Sequence, residues 1–392
     1  MIEIPEAFAQ STIEREGEPG AAWLSELPRI VEELLGRWEC VLDGTVVHGG
    51  VGVIIPVRQR AEGTAVLKVS FPHPGNVHEP DAFAAWGGPG AVLLHQRDDE
   101  RFAMLLERVH TSTLAGVEDG DEVVTVAGRI SRRLAIPAPP GLPRLKEQAK
   151  VWEEQLRKDA EELTHALSRY VVDAAVATVR ELGRVQPDTL IHGDLHARNI
   201  LRADREPWLA VDPKGYAGDP AYDGGTLLKS RVLTLLEADD LRTAVHRTLD
   251  IFTEAAEVDR ERVQRWAQFH AVQAAFWAAV TDSASLAADH SWTGSPNSLT
   301  MRRSCSQNAR RSWSRWAGSG AETGAAVDHR ELCGLTKSWW PQVTAWIPPA
   351  GGRRSRRPWA GSLPGSPGRR YETAVRCAEC ARRAASARSS RS

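Results

Sequence analysis

Asp194 and Asn199 stand five residues apart, just after the apolar pair Leu190-Ile191, and Asp212 closes the next apolar run, Leu209-Ala210-Val211. Phosphoryl transfer asks for those residue types. A carboxylate must orient an acceptor hydroxyl and receive its proton, and oxygen ligands must hold Mg²⁺ where it bridges phosphate oxygens. Asp194 suits the first task. Asn199 and Asp212 suit the second, since a hard cation prefers oxygen donors. The bland alternative is two acidic turn residues and an Asn cap, because turns favour both types.

Upstream residues supply the other parts such chemistry needs. Gly49, Gly50 and Gly52 form a cluster that could let backbone approach phosphates; an ordinary hairpin turn is the equal alternative. Lys68 ends the apolar run Ala65-Val66-Leu67 and could pair with phosphate oxygens, although a solvated edge-strand lysine has the same look. Glu79 opens a short helical stretch and could hold Lys68 as an ion pair; Pro80 fits there only if it lies in the first helical turn. His192-Gly193-Asp194-Leu195-His196-Ala197-Arg198-Asn199 matches the catalytic-loop pattern H-R-D-L-x-x-x-N of protein kinases at every fixed position except Gly193. His192 therefore joins Asp194 as a catalytic candidate, while His196 reads as a packing or supporting group. A different enzyme class stays open: His192, Asp194, His196 and Asp212 have the residue types of a metal-dependent hydrolase. That reading leaves Asn199 and Lys68 without a role.

The elements around these residues divide the chain. Residues 23–38 carry helical periodicity, with Trp23, Leu24, Leu27, Ile30, Val31, Leu34 and Leu35 on one side. Strand-like runs follow at Cys40–Val47, Val53–Val57 and Ala65–Val69, the pattern of an antiparallel meander. A helix is expected over about 77–86, then strands at 91–95 and 102–106. From residue 108 helical patterns dominate: 119–135, 145–182 with a break or two, and 226–280 with a break near Val258-Asp259. Short strand-and-loop pieces at 188–201 and 208–212 are joined by the polar turn Ala203-Asp204-Arg205-Glu206-Pro207. The expectation is an α+β fold: a β-rich lobe over 1–107, a mostly helical lobe over 108–290, and a tail over 291–392.

At 392 residues the chain can bury a full core, and length alone suggests two to three domain-sized units. No apolar run of about 18 residues exists to span a membrane. The start, Met1-Ile2-Glu3-Ile4-Pro5-Glu6, lacks the basic-then-apolar pattern of a secretory leader, so a cytoplasmic location is expected. The formal net charge of −2 hides an asymmetry: 31 basic against 46 acidic residues in 1–290, and 18 basic against 5 acidic in 291–392. An acidic body attracts cationic ligands. The tail is rich in Arg, Ser, Gly and Pro, without periodicity, and reads as low order. It also holds seven of the fourteen tryptophans and four of the five cysteines, a mixture that arises when a GC-rich gene is read out of frame. Its pair Cys377-Ala378-Glu379-Cys380 has no second close pair to complete a four-ligand zinc site, so a nucleic-acid or zinc module is not favoured.

The segment Ile191-His192-Gly193-Asp194-Leu195-His196…Asn199-Ile200-Leu201 resembles the Brenner motif of the aminoglycoside phosphotransferase family. Val211-Asp212-Pro213-Lys214 and Gly218-Asp219-Pro220-Ala221-Tyr222-Asp223 extend the likeness toward the streptomycin 6-kinase and hydroxyurea phosphotransferase branch, as do Leu105-Leu106-Glu107-Arg108 and the helix from Trp266 to Trp277. The resemblance covers about residues 1–290. It implies a protein-kinase-like two-lobe fold and ATP-dependent phosphorylation of a hydroxyl on a small-molecule antibiotic, with resistance as the outcome. By that resemblance Asp194 is the base, and Asn199 and Asp212 are the Mg²⁺ ligands. Lys68 is the ATP-phosphate contact, and Glu107 to Val109 form the hinge near adenine. Asp219 and Asp223 brace the catalytic loop. The glycine cluster departs from full G-x-G-x-x-G spacing. The tail replaces helices expected to complete the acceptor pocket, which leaves an inactive kinase-like protein as the alternative within the family.

Overall fold

The computed structural model describes residues 2–59, 63–163 and 166–289. The expectations for 291–392 lie outside those residues. The chain opens with two helices, α1 (Glu6–Glu16) and α2 (Glu18–Arg37), and α2 buries Leu24, Leu27, Val31 and Leu34 at helical spacing. Sequence periodicity identified α2 but missed its first five residues and all of α1, whose only large buried apolar side chain is Phe8. Next come β1 (Cys40–Leu42), β2 (Val47–His48), β3 (Gly52–Gln59) and β4 (Gly63–Ser70), then α3 (Glu79–Trp86), β5 (Leu94–Asp98) and β6 (Ala103–Glu107).

The six strands form one antiparallel sheet in the order β1-β3-β4-β6-β5, with β2 also on β3. The strand expected over 40–47 is broken into β1 and β2, which pair with different stretches of β3. The strand expected at 91–95 starts three residues later. Ala91 instead bridges in parallel to Ala210.

Strand alternation sends side chains to opposite faces, and here it separates two cores. Ala65, Leu67 and Val69 of β4, with Ala103 and Leu105 of β6, pack with α2. Met104 and Leu106 of β6 face the other way, into the large core shared with α3 and the helical lobe. Lys68, between Leu67 and Val69, therefore points away from the α2 core and toward the second lobe.

The second lobe holds α4 (Gly120–Leu134), β7 (Ile136–Pro137), α5 (Leu145–Glu162), α6 (Arg169–Thr178), β8 (Thr189–Ile191), β9 (Ile200–Arg202), β10 (Trp208–Ala210), β11 (Tyr216–Ala217), α7 (Ala221–Ser230), α8 (Val232–Leu236), α9 (Leu241–Ala256) and α10 (Arg260–Asp289). Asp119 caps α4 by accepting the N–H groups of Asp121 and Glu122. The break near Val258 falls where Glu257 turns left-handed at φ 53° and ends α9. One β-rich lobe and one mostly helical lobe make this the α+β, protein-kinase-like arrangement. Among the described residues no helix is long and apolar enough to cross a membrane.

α7 lies close to α10 because Gly225 has no side chain: a Cβ there would sit 2.9 Å from the Trp266 carbonyl carbon and 3.0 Å from the Ala267 nitrogen. Gly225→Ala is expected to lower stability by about 1–3 kcal/mol through overpacking. Gly36→Ala, in the exposed last turn of α2 with open space around the added methyl, is expected to raise it by about 0.4–1 kcal/mol. Chemical denaturation of both variants checks the pair. Equal effects would contradict the close α7–α10 approach.

Candidate active site

Lys68 is buried, and its Nζ donates to Glu79 Oε1 at 2.5 Å and to Asp212 Oδ1 at 2.8 Å. Glu79 is the first residue of α3, where a helix favours negative charge. Pro80 sits where no N–H is required. Burial alone would lower the Lys68 pKa, but Asp212 and Glu79 outweigh it and hold the ammonium above the ordinary lysine range.

Asp212 follows β10 with a left-handed backbone, φ 58°. Burial pushes its carboxyl up; Lys214 and Lys68 reverse that and leave it well below the usual carboxylate range. Its Oδ2 lies 3.7 Å from Lys214 Nζ, which is also 3.9 Å from Asp194 Oδ2. Asp194 remains about one-fifth exposed. Burial raises it, but His196, Lys214 and Lys229 together hold it below the usual range. A charged, accessible carboxylate of this kind can accept a hydroxyl hydrogen bond and then its proton.

The loop carrying Asp194 is fixed on several sides. Asp223, on α7, accepts the backbone N–H groups of His192 (3.0 Å) and Gly193 (2.8 Å). Asn199 Nδ2 donates to the Asp194 carbonyl at 3.1 Å, and Val211 N donates to the Asn199 carbonyl at 2.9 Å. With its amide nitrogen engaged, the Asn199 oxygen is the group left to act as a ligand. Asp219 accepts from Trp266 Nε1, Arg262 and the Ala221 N–H, which anchors the start of α7.

The sequence matches the family described as aminoglycoside/hydroxyurea antibiotic resistance kinase over residues 37–281. It is 38% identical to a streptomycin 6-kinase of Streptomyces glaucescens over 289 residues, 73% of this chain and 94% of that protein. A streptomycin 6-kinase of Streptomyces griseus is 38% identical, covering 70% of this chain and 91% of that one. A hydroxyurea phosphotransferase of Kitasatospora aureofaciens is 34% identical, covering 71% and 80%. The chain belongs to this kinase family.

In this family member Gly193 stands where the protein-kinase pattern has Arg, and packing explains it. Gly193 has φ 81°, and a Cβ there would lie 2.6 Å from Tyr216 Cδ2 and 3.1 Å from Lys214 Cβ. No side chain fits.

The structure places several of the sequence candidates in settings that their sequence did not suggest. His192 is fully buried, its ring stacked on Trp86 with centroids 6.3 Å apart. Its Nδ1 accepts the Asp194 N–H at 3.3 Å, and its Nε2 donates to the Val211 carbonyl at 2.9 Å. Both nitrogens are engaged in holding the loop, so in this geometry neither is free to move a proton or to ligate a metal. The hydrolase reading loses a ligand by the same geometry. Among the described residues no group of three His, Cys, Asp or Glu side chains is arranged to hold a metal. Gly52 lies opposite Ser70 in the antiparallel β3–β4 pair, and a Cβ there would lie 2.6 Å from Ser70 Oγ. Gly49 and Gly50 lie in the turn between β2 and β3, closed by Gly49 N to the Gly52 carbonyl at 2.9 Å. At the end of β6 the Glu107 carboxylate takes Leu93 N–H (3.0 Å) and Arg205 Nη2 (2.8 Å), so its side chain serves the scaffold, while Val109 packs on the large core. Arg205, read from sequence as part of a plain polar turn, also donates to the Gly88 and Ala91 carbonyls and so ties the second lobe to the chain before β5.

Burial holds the His192 pKa down at about 4. The unfolded chain takes up that proton near pH 6.5 and the folded chain does not until about 4, so this contribution to stability is present above 6.5 and lost as pH falls. Wild type minus His192→Gln is expected to fall by up to about 3 kcal/mol between pH 7 and 4. Denaturation at several pH values reads it, and a difference independent of pH would contradict a neutral, buried imidazole.

Proposed function

We propose that this kinase transfers the γ-phosphoryl group of ATP to a hydroxyl oxygen of a small-molecule antibiotic, streptomycin or a related aminoglycoside in the first place and hydroxyurea in the second. The carrying observation is the charged, partly exposed Asp194 beside the Lys68–Asp212 pair. In this reading the acceptor hydroxyl hydrogen-bonds to Asp194 and gives it the proton as the new P–O bond forms. The bond from Pγ to the β,γ-bridging oxygen breaks and ADP leaves. Lys68 contacts phosphate oxygens. Gly49, Gly50 and the backbone of Glu107 to Val109 line the nucleotide side.

Asp212 and Asn199 offer oxygen donors only, which fits Mg²⁺. Two protein ligands suffice for an ion that keeps waters and phosphate oxygens in its shell. Bound there, Mg²⁺ neutralises charge on the phosphates. The excess of 46 acidic over 31 basic residues in 1–290 supports a cationic acceptor. Use of ATP supports a cytoplasmic location, where modification of the drug would give resistance.

The test incubates the protein with ATP, Mg²⁺ and a panel of streptomycin, other aminoglycosides and hydroxyurea, and reads by mass which compound gains a phosphoryl group. Asp194→Ala is expected to lower the transfer rate by about 10²–10⁴-fold with ADP affinity nearly unchanged. Near-normal transfer by that variant would overturn the assignment of Asp194.

A further inference from the structure

The Asp-Pro-Lys segment puts a second lysine at the reacting centre. Lys214 Nζ lies 3.9 Å from Asp194 Oδ2 and 3.7 Å from Asp212 Oδ2. Both distances are within ion-pair range and beyond a good hydrogen bond. Lys68 differs in that its ammonium is held by two short hydrogen bonds.

The fold builds this position with some care for space. The Lys214 and Gly215 N–H groups both donate to the His192 carbonyl, at 2.8 and 3.3 Å. Gly215 has φ 64°, and a Cβ there would strike the His78 carbonyl oxygen at 2.7 Å. Gly193 carries no side chain where Lys214 Cβ approaches, and Lys214 Cδ passes beneath Gly75. The stem is thus guided, and the side chain as a whole is about one-quarter exposed.

The two carboxylates that flank it belong to opposite sides of the proposed transfer. Asp194 is the acceptor side, and Asp212 is the nucleotide and metal side. A phosphoryl group passing from one to the other crosses the space between them, and the ammonium sits at that space. Fixed positive charge aimed at where charge develops is the arrangement that stabilises a transition state. We infer that Lys214 is a second phosphate-binding lysine, contacting the γ-phosphoryl oxygens during transfer. This inference rests on the kinase reading above. A plain counter-ion for Asp194 and Asp212 would have no preference for a nucleotide that carries a γ-phosphoryl group.

That preference is the test. With Mg²⁺ present, AMP-PNP and ADP are titrated calorimetrically into wild type, Lys214→Ala and Lys214→Arg, and kcat is measured with the acceptor that the panel identifies. Lys214→Ala is expected to lose about 10²–10³-fold in kcat. It is also expected to lose about tenfold, 1.4 kcal/mol, in affinity for AMP-PNP while ADP affinity stays within about twofold. Lys214→Arg should recover much of both, since it keeps the charge. Should the alanine variant melt early, Lys214→Gln, which keeps most of the stem, reads the same two affinities. Equal loss of both nucleotides, or a kcat within about threefold of wild type, would overturn the assignment. Failure of the wild type to phosphorylate any acceptor would count against the kinase reading alone, since the AMP-PNP to ADP preference is measured without an acceptor.

Discussion

A buried ammonium must have partners, and Lys68 finds two, one from each lobe. Glu79 comes from α3 in the β-rich lobe and Asp212 from the segment after β10. Breaking a buried pair by removing one partner leaves an uncompensated charge, at a cost of about 3–5 kcal/mol. The cluster therefore constrains everything attached to it. β4 must present Lys68 on the face opposite Leu67. α3 must begin at Glu79, so a proline can follow it. The chain must turn left-handed at Asp212.

The rest of the site hangs on that arrangement through a second set of contacts. Trp86, at the far end of α3, stacks on His192 and donates to the Leu134 carbonyl at 2.9 Å, so the helix that supplies Glu79 also braces the loop that supplies Asp194. Asp223 holds the same loop from α7 through two backbone N–H groups. Arg205 ties the β9–β10 turn to the end of β6 and to the chain before β5. Each of these contacts joins segments far apart in sequence, so the carboxylates are placed by the fold and not by local chain preference.

Much of the site was legible in sequence because its parts are local or ordered. Asp194 to Asn199 is one short loop, and Lys68 ends a continuous apolar run, so type and spacing singled them out. Helix boundaries at Asp119 and near Val258 followed from periodicity. What failed was long-range or steric. His192 looked catalytic because nothing local shows that Val211 and Asp194 engage both its nitrogens. Gly52 looked like a phosphate glycine because its pairing opposite Ser70 is not visible in the local sequence. Gly193 looked like a lost arginine, whereas Tyr216 and Lys214 fill the space. Arg205 sat in a turn whose composition said only that it was polar. α1 escaped because one phenylalanine is too little periodicity to register. Lys214 stood two residues after Asp212 and was read as a family marker. Its position between two carboxylates is visible only in three dimensions.

The family membership and the geometry meet at one physical claim, that Lys68 and Glu79 act as a single unit in placing the phosphates. A double-mutant cycle on kcat/KM for ATP, with Lys68→Arg, Glu79→Gln and the pair, measures this most directly. A coupled unit should show an interaction energy of at least about 1.4 kcal/mol, with the second substitution costing little once the first is made. Losses that multiply within about twofold would mean the two side chains act independently, and would contradict the claim.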